Sequence, residues 1–320
     1  MLVSIIIANY NYARYLTAAV TSVLKQSYQN FEIVIVDDGS TDNSREVIEN
    51  IQKQNSDRVR AIFQANQGQG GAFNTGFAAA SGEIIAFLDA DDIWKPNKLE
   101  RIVREFADSK VVGVMHQLEN IDADGNQLET SPPLALPNNL AELIIKTGNA
   151  WFFPPTSALS YRRYALSQVF PVNAVKWRTC MDGCIIYCTS FLGDIKTLPD
   201  FLGGYRIHDA NNHITTQSSS ANPARDLAGI EMTNEYINQF LEKINDPRRV
   251  SLGNNLQYQR TKYYYEGVFS WLKTWQIIQL IWQWPLYSTS DKLYFIMRFL
   301  LKSSKMWRLF PQKSSEVVSS

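Results

Sequence analysis

Three carboxylates, Asp89, Asp91 and Asp92, lie within four residues directly after the apolar run Ile84–Leu88. The run predicts a strand buried on both faces, and ligands bind at the carboxyl ends of strands in open α/β sheets. Because like charges at this spacing repel, and oxygen ligands suit Mg²⁺ or Mn²⁺, the cluster indicates a cation site shared with phosphate oxygens. The alternative is an acidic helix start, in which Asp92 caps a helix beginning near Lys95.

The elements that must position this cluster alternate between strand and helix. Apolar runs predict strands in the first 115 residues, and helical periodicity predicts helices between them. This alternation is typical of an α/β fold with a mostly parallel sheet and helices on both faces. Asn43 and Glu46 have the spacing of a capping box at the second helix. The predicted strands are Leu2–Ala8, Phe31–Val36, Val59–Gln64, Ile84–Leu88 and Val111–Met115.

A glycine-rich segment, Asn66–Gly71, precedes the third helix. It does not match a dinucleotide-binding fingerprint, because Phe73 stands where the third glycine is required. Its glycines indicate a tight turn or a close approach of the backbone to a ligand. Further on, Asp122–Asn126 resembles the start of a calcium loop, but Pro133 occupies the twelfth position in place of Glu. We therefore predict a hairpin-type turn there.

Shorter elements follow this turn. The prolines of Ser131–Pro137 predict a loop, and Trp151–Pro155 predicts an aromatic loop that cannot be helical. The remaining patterns predict a short helix at Leu140–Lys146, a helix at Cys180–Phe191 and a strand at Ile195–Leu198.

Composition limits the classes of function. The 320 residues are 45% hydrophobic, which is enough for a full α/β core and a second, smaller unit. Lys and Arg total 31, and so do Asp and Glu. Because the chain as a whole has no net positive field, we predict that it does not bind nucleic acid.

The three cysteines, Cys180, Cys184 and Cys188, fall on one stripe of a helix. Such a stripe could hold a metal, but its apolar neighbours favour core packing of free thiols. An odd cysteine count indicates a reducing compartment. Because Met1 leads directly into a strand without a basic region or a cleavage site, we predict no signal peptide and a cytoplasmic location.

The C-terminal part has a different character. From about residue 216 the patterning is helical, and Trp and basic residues become frequent. Trp271, Trp275, Ile278 and Trp282 form an apolar stripe that polar residues interrupt too often for a bilayer span. The basic and aromatic tail could lie on the anionic inner face of the plasma membrane. Packing of these helices against the main domain is the alternative.

Three separated motifs carry a resemblance to a known family. Val3–Asn11, Val36–Asp42 and Leu88–Asp92 resemble, in order and spacing, the family 2 glycosyltransferases. The likeness covers roughly residues 1–210. It implies a GT-A fold, a Rossmann-like sheet with helices on both faces, and a nucleotide-diphosphate sugar as donor. It also implies Mn²⁺ or Mg²⁺ as cofactor and inversion at the anomeric carbon.

The resemblance assigns donor-binding roles to residues at the ends of the first strands. Ala8 and Tyr10 would flank the nucleotide base, and Asp38 would bond to the base or ribose. Asp89 would contact the ribose or a metal-bound water, and Asp91 would ligate the metal between the two phosphates. For Asp38, a turn or helix cap is the alternative.

Further roles follow for the reaction itself. Arg206 would help the metal to stabilise the charge on the leaving diphosphate, and His208 would be an extra metal ligand or a hydrogen-bonded loop histidine. Asp182 matches the position of the catalytic base, with an ordinary N-cap as the alternative; Met181 stands before it where the family more often has Glu. The candidates for walls of the acceptor site, or for the core, are Trp151, Phe152, Trp177 and Arg178.

The sequence thus predicts an inverting transferase with a GT-A domain at 1–215 and a helical region at 216–320. The nucleotide-sugar half would end near residue 117, and the acceptor half would follow it. A sugar, from UDP in the first instance, would pass by metal-assisted single displacement to a hydroxyl of a polysaccharide, a lipid-linked glycan or another glycoconjugate. The alternatives are a catalytically silent nucleotide-sugar-binding scaffold and an Asp-dependent phosphohydrolase. A phosphohydrolase of this kind would need a hydroxyl residue at position 93, where this chain has Ile93.

Overall fold

The computed structural model describes residues 1–130, 136–208 and 222–309. Most of the predicted loop at 131–137 and of the Ser-rich linker predicted at 215–223 lies outside the described residues. The boundary predicted near residue 215 therefore stays a prediction. Two compact units are present, one containing 1–142, 151–208 and 239–247, the other containing 143–150, 222–238 and 248–309.

Eight strands of the first unit form a single sheet, and seven of them are extended over four or more residues. The strands are β1 Val3–Asn9, β2 Phe31–Asp37, β3 Val59–Phe63, β4 Ile84–Asp89, β5 Ile93–Trp94, β6 Val111–Ile121, β7 Leu159–Arg162 and β8 Asp194–Arg206.

The sheet has the order β3-β2-β1-β4-β7-β6-β8-β5. β1 runs parallel to β2 and β4, and β2 runs parallel to β3. β7 is antiparallel to both β4 and β6, whereas β6 and β8 are parallel and β5 is antiparallel to β8. The predicted parallel sheet is therefore confirmed for the first four strands in the chain, and the rest is mixed because β7 enters between β4 and β6.

In the described parts of the chain, seven α-helices accompany these strands and four more follow them. The first seven are α1 Ala13–Leu24, α2 Ser44–Gln54, α3 Gly68–Ala79, α4 Lys98–Glu105, α5 Leu140–Thr147, α6 Arg163–Val169 and α7 Met181–Thr189. The other four are α8 Pro223–Lys243, α9 Leu256–Glu266, α10 Trp271–Gln283 and α11 Thr289–Leu309. None of the helices in the described ranges combines the length and apolar character needed to cross a bilayer.

Helices cover both faces of the sheet, as alternate residues of β1 demonstrate. Ile5 and Ile7 belong to the core that also contains Leu16 and Val20 of α1. The intervening Ile6 packs against the backbone of α3, where its Cγ2 lies 2.4 Å from the place a Cβ would take at Gly76. Because successive side chains of a strand point to opposite faces, α1 and α3 lie on opposite sides. The predicted layers are confirmed.

The capping box predicted for α2 was wrong. The Asn43 side chain makes no cap hydrogen bond. Asp42, one residue earlier, accepts from the Ser44 amide through Oδ1 at 2.9 Å and from the Ala13 amide through Oδ2 at 3.1 Å. One carboxylate therefore stabilises the starts of both α1 and α2. The capping-box spacing concerns α2 alone, so it could not indicate this contact.

Strands β6 and β8 are longer than their apolar cores predicted. Their parallel pairing continues to Ile121 and Arg206, well beyond the predicted ends at Met115 and Leu198. Backbone pairing sustains the polar extensions, since most buried amides and carbonyls in a fold are paired. The extension carries β8 to the acidic loop after β4. The hairpin-type turn predicted at Asp122–Asn126 is confirmed, with Asp122 Oδ1 accepting from two following amides.

Candidate active site

A cavity of about 510 Å³ opens in the first unit, where β1, β2 and β4 end and α3 and α7 begin. Its wall includes six of the eight predicted site residues, and Arg206 and His208 are not part of it. The two acids predicted for opposite faces of the transferred sugar share this one cavity. The six wall residues are Ala8, Tyr10, Asp38, Asp89, Asp91 and Asp182.

Ser157 supports the acidic loop after β4. Its Oγ donates to Asp92 Oδ2 at 2.5 Å and accepts from the Asp89 amide at 2.9 Å. The other carboxylate oxygen of Asp92 accepts from the Arg206 amide at 2.8 Å. Asp92 is 1% exposed and uses both oxygens to fix the loop, so it supports the site from within the protein. It does not cap a helix near Lys95, because α4 begins three residues later.

A buried lysine lies next to Ser157. Lys98 is fully buried, and its Nζ donates to the Ser157 carbonyl at 3.0 Å. The same ammonium lies 3.1 Å from the centroid of the Trp94 ring. Burial lowers the pKa of Lys98, and the Asp92 carboxylate opposes that shift. Lys98 therefore supports the Ser157 backbone from within the protein.

The acids resist ionising together. Burial raises the pKa of Asp89, and the carboxylates of Asp92, Asp91 and Asp182 raise it further. Burial and the neighbouring Asp91 also raise the pKa of Asp92. A bound cation relieves this kind of repulsion, because it favours the charged form of each carboxylate.

Asp91 and His208 suit a divalent cation. Asp91 Oδ2 is 3.0 Å from His208 Nε2, so both atoms can face one ion. Among the described residues, no group of three or more His, Cys, Asp or Glu side chains could hold a metal. Two protein ligands, with phosphate and water in the other positions, are typical of Mg²⁺ at phosphate sites. The chemistry of the residues therefore fits an ion that binds together with the donor diphosphate.

Two tyrosines fix the ring of His208. Tyr15 stacks on it at a centroid distance of 4.9 Å, and Tyr12 meets it edge-on at 5.7 Å. Burial and the nearby Asp91 raise the pKa of Tyr12, so its hydroxyl stays protonated beside the acids. Tyr12 lines the cavity and was not among the predicted site residues. Its position just beyond the first motif was the available signal.

Arg206 contacts the backbone of both the acidic loop and the turn after β6. Its guanidinium donates from Nε to the Asp91 carbonyl at 2.7 Å and from Nη1 to the carbonyls of Asp122 and Ala123. The group also lies over the Tyr15 ring, 5.0 Å from the centroid. Arg206 is buried and outside the cavity wall. These contacts hold the backbone of the metal-ligand candidate, and the predicted role of Arg206 toward the diphosphate stays a prediction.

Asp38 makes the hydrogen bonds of a helix cap, and its predicted bond to the donor stays a prediction. It lines the cavity, yet its Oδ1 accepts from the Gln64 side chain at 2.7 Å and from the Gln67 amide at 2.8 Å. Its Oδ2 accepts from the Gly68 amide at 2.7 Å. Asp38 therefore caps α3, a helix that begins 30 residues later in the chain. An acceptor position on Oδ2 remains for a ligand hydroxyl.

The glycines of the third segment approach another part of the chain. A Cβ on Gly68 would lie 2.7 Å from the Arg178 carbonyl oxygen, and one on Gly70 would lie 2.5 Å from that of Trp177. The amides of Gln69 and Gly70 donate to these two carbonyls at 2.8 and 3.1 Å. The prediction was a tight turn or a close approach to a ligand. The glycines approach the segment before α7 instead, and they lie within the first turn of α3.

We expect Gly70→Ala to destabilise the protein by about 1–3 kcal/mol, because a backbone carbonyl occupies the space for a methyl group. Gly229→Ala in α8 is the matched control, since nothing lies within 4 Å of a Cβ there. Its expected effect is a gain of about 1 kcal/mol in the free energy of unfolding. Thermal and urea unfolding of both variants measure this. Equal stability changes in the two would contradict the packing of Gly70.

Gln69 connects the acids on the two sides of the cavity. Its Oε1 accepts from the Met181 amide at 3.1 Å, and its side chain opposes the rise that burial causes in the pKa of Asp89. Met181 begins α7, and Asp182 follows it. Gln69 was missed because only its glycine neighbours stood out in the sequence.

Asp182 lies in the first turn of α7 and is buried at 4% exposure. Its Oδ1 accepts from the Gly183 amide at 3.0 Å. Cys180 precedes the helix in a left-handed conformation, with φ of 56°, which turns the chain into the cavity wall. Cys180 is therefore exposed, while Cys184 and Cys188 are buried. The core stripe predicted for three cysteines contains two.

The predicted aromatic walls divide into core and surface. Trp177 is buried at 3% exposure and packs in the interior. Trp151 is 43% exposed, and its Cζ3 would lie 3.3 Å from a Cβ on Gly183. Trp151 thus presents an aromatic surface beside the residue that follows Asp182, with Phe153 and Tyr187 against its other sides.

Comparison with known proteins gives consistent results. A family model described as glycosyl transferase family 2 matches residues 4–170. An uncharacterized glycosyltransferase of Nostoc sp. is 58% identical over 309 residues, which cover 95% of this chain and 96% of that one. The crystal structure of S. aureus TarS with UDP-GlcNAc has a TM-score of 0.59 at 18% identity, covering 96% and 90% of the two chains. A Pyrobaculum calidifontis mannosyltransferase with GDP-Man and Mn²⁺ has a TM-score of 0.53 at 16% identity, covering 96% and 88%.

The structural similarity confirms the predicted GT-A type of α/β fold, and a C-terminal helical region is present as predicted. At these identities it concerns the fold alone. The ligands in those crystals belong to those two proteins.

Proposed function

The chain belongs to glycosyl transferase family 2, and from this we propose that it is an inverting enzyme with a nucleoside diphosphate sugar as donor. The observation that carries the proposal is the single cavity lined by both Asp91 and Asp182. A UDP-sugar is the first candidate donor. The acceptor is a hydroxyl group of a growing polysaccharide, a lipid-linked glycan or another glycoconjugate, and the setting is the cytoplasm.

In this proposal the nucleoside occupies the ends of β1 and β2. Tyr10 is exposed at the cavity and offers a ring face to the base, and Ala8 lies on the opposite side of the base. The remaining acceptor position on Asp38 Oδ2 bonds to a base N–H or a ribose hydroxyl. The diphosphate then extends toward Asp89 and Asp91, at the end of β4.

Asp91 and His208 would hold Mn²⁺ or Mg²⁺ against the diphosphate. Such an ion neutralises charge on the departing phosphate oxygen. The chain's own residues do the positioning: Ser157 and Asp92 fix the loop, and Arg206 holds the Asp91 carbonyl. Tyr12 remains a neutral hydroxyl donor beside the diphosphate.

Asp182 takes the proton of the acceptor in this scheme. As the acceptor oxygen bonds to the anomeric carbon, the bond from that carbon to the phosphate oxygen breaks. The nucleoside diphosphate leaves with the electron pair, and the acceptor proton passes to the Asp182 carboxylate. Attack from the face opposite the leaving group inverts the configuration. Trp151 offers the acceptor sugar a surface for stacking.

A thermal-shift screen tests the donor proposal. UDP, GDP, dTDP and their sugars are added with and without Mn²⁺, and a ligand of the folded state raises the unfolding temperature by mass action. We expect UDP or a UDP-sugar to stabilise the protein, and Mn²⁺ to increase the effect. Stabilisation without release of nucleoside diphosphate in the presence of any acceptor would favour a silent binding protein instead.

A further inference from the structure

Helix α10 exposes a row of tryptophans. Trp271, Trp275 and Trp282 are 73%, 58% and 52% exposed, and their spacing of four and seven residues places them along one side of the helix. The buried residues of the same helix are Thr274, Ile277 and Ile281, on a neighbouring stripe. The helix therefore has two apolar sides, and packing covers only one of them.

Helix α11 repeats this arrangement. Its exposed apolar residues recur at helical spacing, while Phe299 and Ser303 are buried. Single exposed apolar residues are normal on a protein surface. Rows of such residues on two consecutive helices expose more apolar area than scattered single residues do. The exposed residues of this row are Leu293, Tyr294, Met297, Leu300 and Leu301.

The buried sides of both helices meet at the same residue of α9. The Tyr263 hydroxyl is 2.9 Å from Thr274 Oγ1, and the Tyr263 ring lies 5.6 Å from that of Phe299. Because this contact fixes the inward side of each helix, the rows on α10 and α11 are held outward. The exposed rows are thus a consequence of how the second unit packs internally.

The charge of this region is opposite to that of the rest of the chain. Residues 271–320 contain seven Lys and Arg and two Asp and Glu, so the first 270 residues contain 24 basic and 29 acidic ones. Lys273 pairs with Glu266, and Lys302 lies over the Tyr264 ring. Among the side chains described up to residue 303, Lys292, Arg298 and Lys302 have no carboxylate partner.

We propose that α10 and α11 bind the surface of an anionic lipid bilayer, with their exposed apolar rows at the level of the headgroups. Tryptophan is favoured at membrane interfaces, where its ring is part apolar and part polar. Lys and Arg beside such a row are attracted by anionic lipids. A second copy of the chain fits the surface less well, because it would bring two positive regions together. The inference does not depend on the proposed reaction.

Co-sedimentation with lipid vesicles tests the proposal with the full chain. We expect it to sediment with vesicles of phosphatidylcholine and phosphatidylglycerol, to bind pure phosphatidylcholine less, and to be released by added salt. Trp271→Ala with Trp275→Ala should lower partitioning by about tenfold or more, through lost apolar burial. Reversing Lys292, Arg298 and Lys302 to Glu should lower it by about a hundredfold or more.

The controls change matching groups in the first unit. Tyr164→Ala removes an aromatic side chain that is 55% exposed, and Lys53→Glu reverses an exposed charge. Neither should alter partitioning, and circular dichroism of every variant checks its folding. Vesicle binding that is unchanged in the tryptophan and charge variants, or absent in the wild type, would overturn the proposal. The proposal would also be overturned if sedimentation equilibrium showed a stable dimer and the tryptophan fluorescence of that dimer were protected from quenching.

Discussion

Asp91→Asn is expected to abolish cation-dependent donor binding and, with it, sugar transfer. The amide keeps the shape of the side chain but loses the charge that holds a divalent ion against a diphosphate. Loss of residues that only support a metal ligand costs about 10–100-fold in metal affinity, so loss of the ligand should cost at least about a hundredfold. Titration calorimetry with the nucleoside diphosphate, with and without Mn²⁺, measures the effect.

Asp124→Asn is the matched control for this substitution. Asp124 lies in the Asp122–Asn126 turn, its side chain is 76% exposed, and it pairs with Arg14 at the surface. Its replacement should leave the Mn²⁺ dependence of donor binding unchanged. If Asp91→Asn bound donor with the same dependence on Mn²⁺ as the wild type, the assignment of Asp91 to the metal would be wrong.

Asp182→Asn is expected to lower kcat by roughly 10²–10⁴ while donor affinity stays the same, which is the usual contribution of a general base. The Asn side chain cannot take a proton from the acceptor hydroxyl. Its oxygen can still accept the hydrogen bond from the backbone N–H of Gly183. The start of α7 should therefore stay folded. Steady-state kinetics over a pH series separate kcat from KM and show whether the acid limb of the kcat profile disappears.

Two outcomes would contradict this role for Asp182. A variant with lower donor affinity and unchanged kcat would indicate a binding residue. A variant with a lower unfolding temperature and a normal pH profile would indicate a helix cap, the alternative considered for this position. The Asp124→Asn control should keep the wild-type profile.

Much of the fold and of the site could be predicted from local patterns. The proximity of the acids at the end of β4 to the residues at the end of β1 could be predicted, because parallel strands bring their carboxyl ends to one edge of the sheet. Asp182 was identified by its place in a motif, and the structure puts it in the cavity with Asp91. The roles of these residues stay predictions.

Contacts across long stretches of chain could not be predicted. Ser157 reaches Asp89 over 68 residues, and Arg206 reaches the Asp91 carbonyl over 115. No periodicity encodes such pairings, because they depend on where β7 and β8 enter the sheet.

The tryptophan row of α10 was a different case. Its helix was predicted correctly, but two apolar sides made the buried one ambiguous from the sequence.

Under the proposed function, the contact of Gly68 and Gly70 with the carbonyls of residues 177 and 178 restricts how the enzyme can change its preference for a donor. Backbone carbonyls and the first side-chain atoms of Trp177 and Arg178 fill the space next to both glycines, so neither position can take a larger residue without a shift of the chain. Selection for a bulkier or smaller sugar would have to act on replaceable groups elsewhere around the cavity, such as Asn11, Thr156 and Thr179. Variation among relatives with different donors should therefore concentrate at those positions and spare the two glycines.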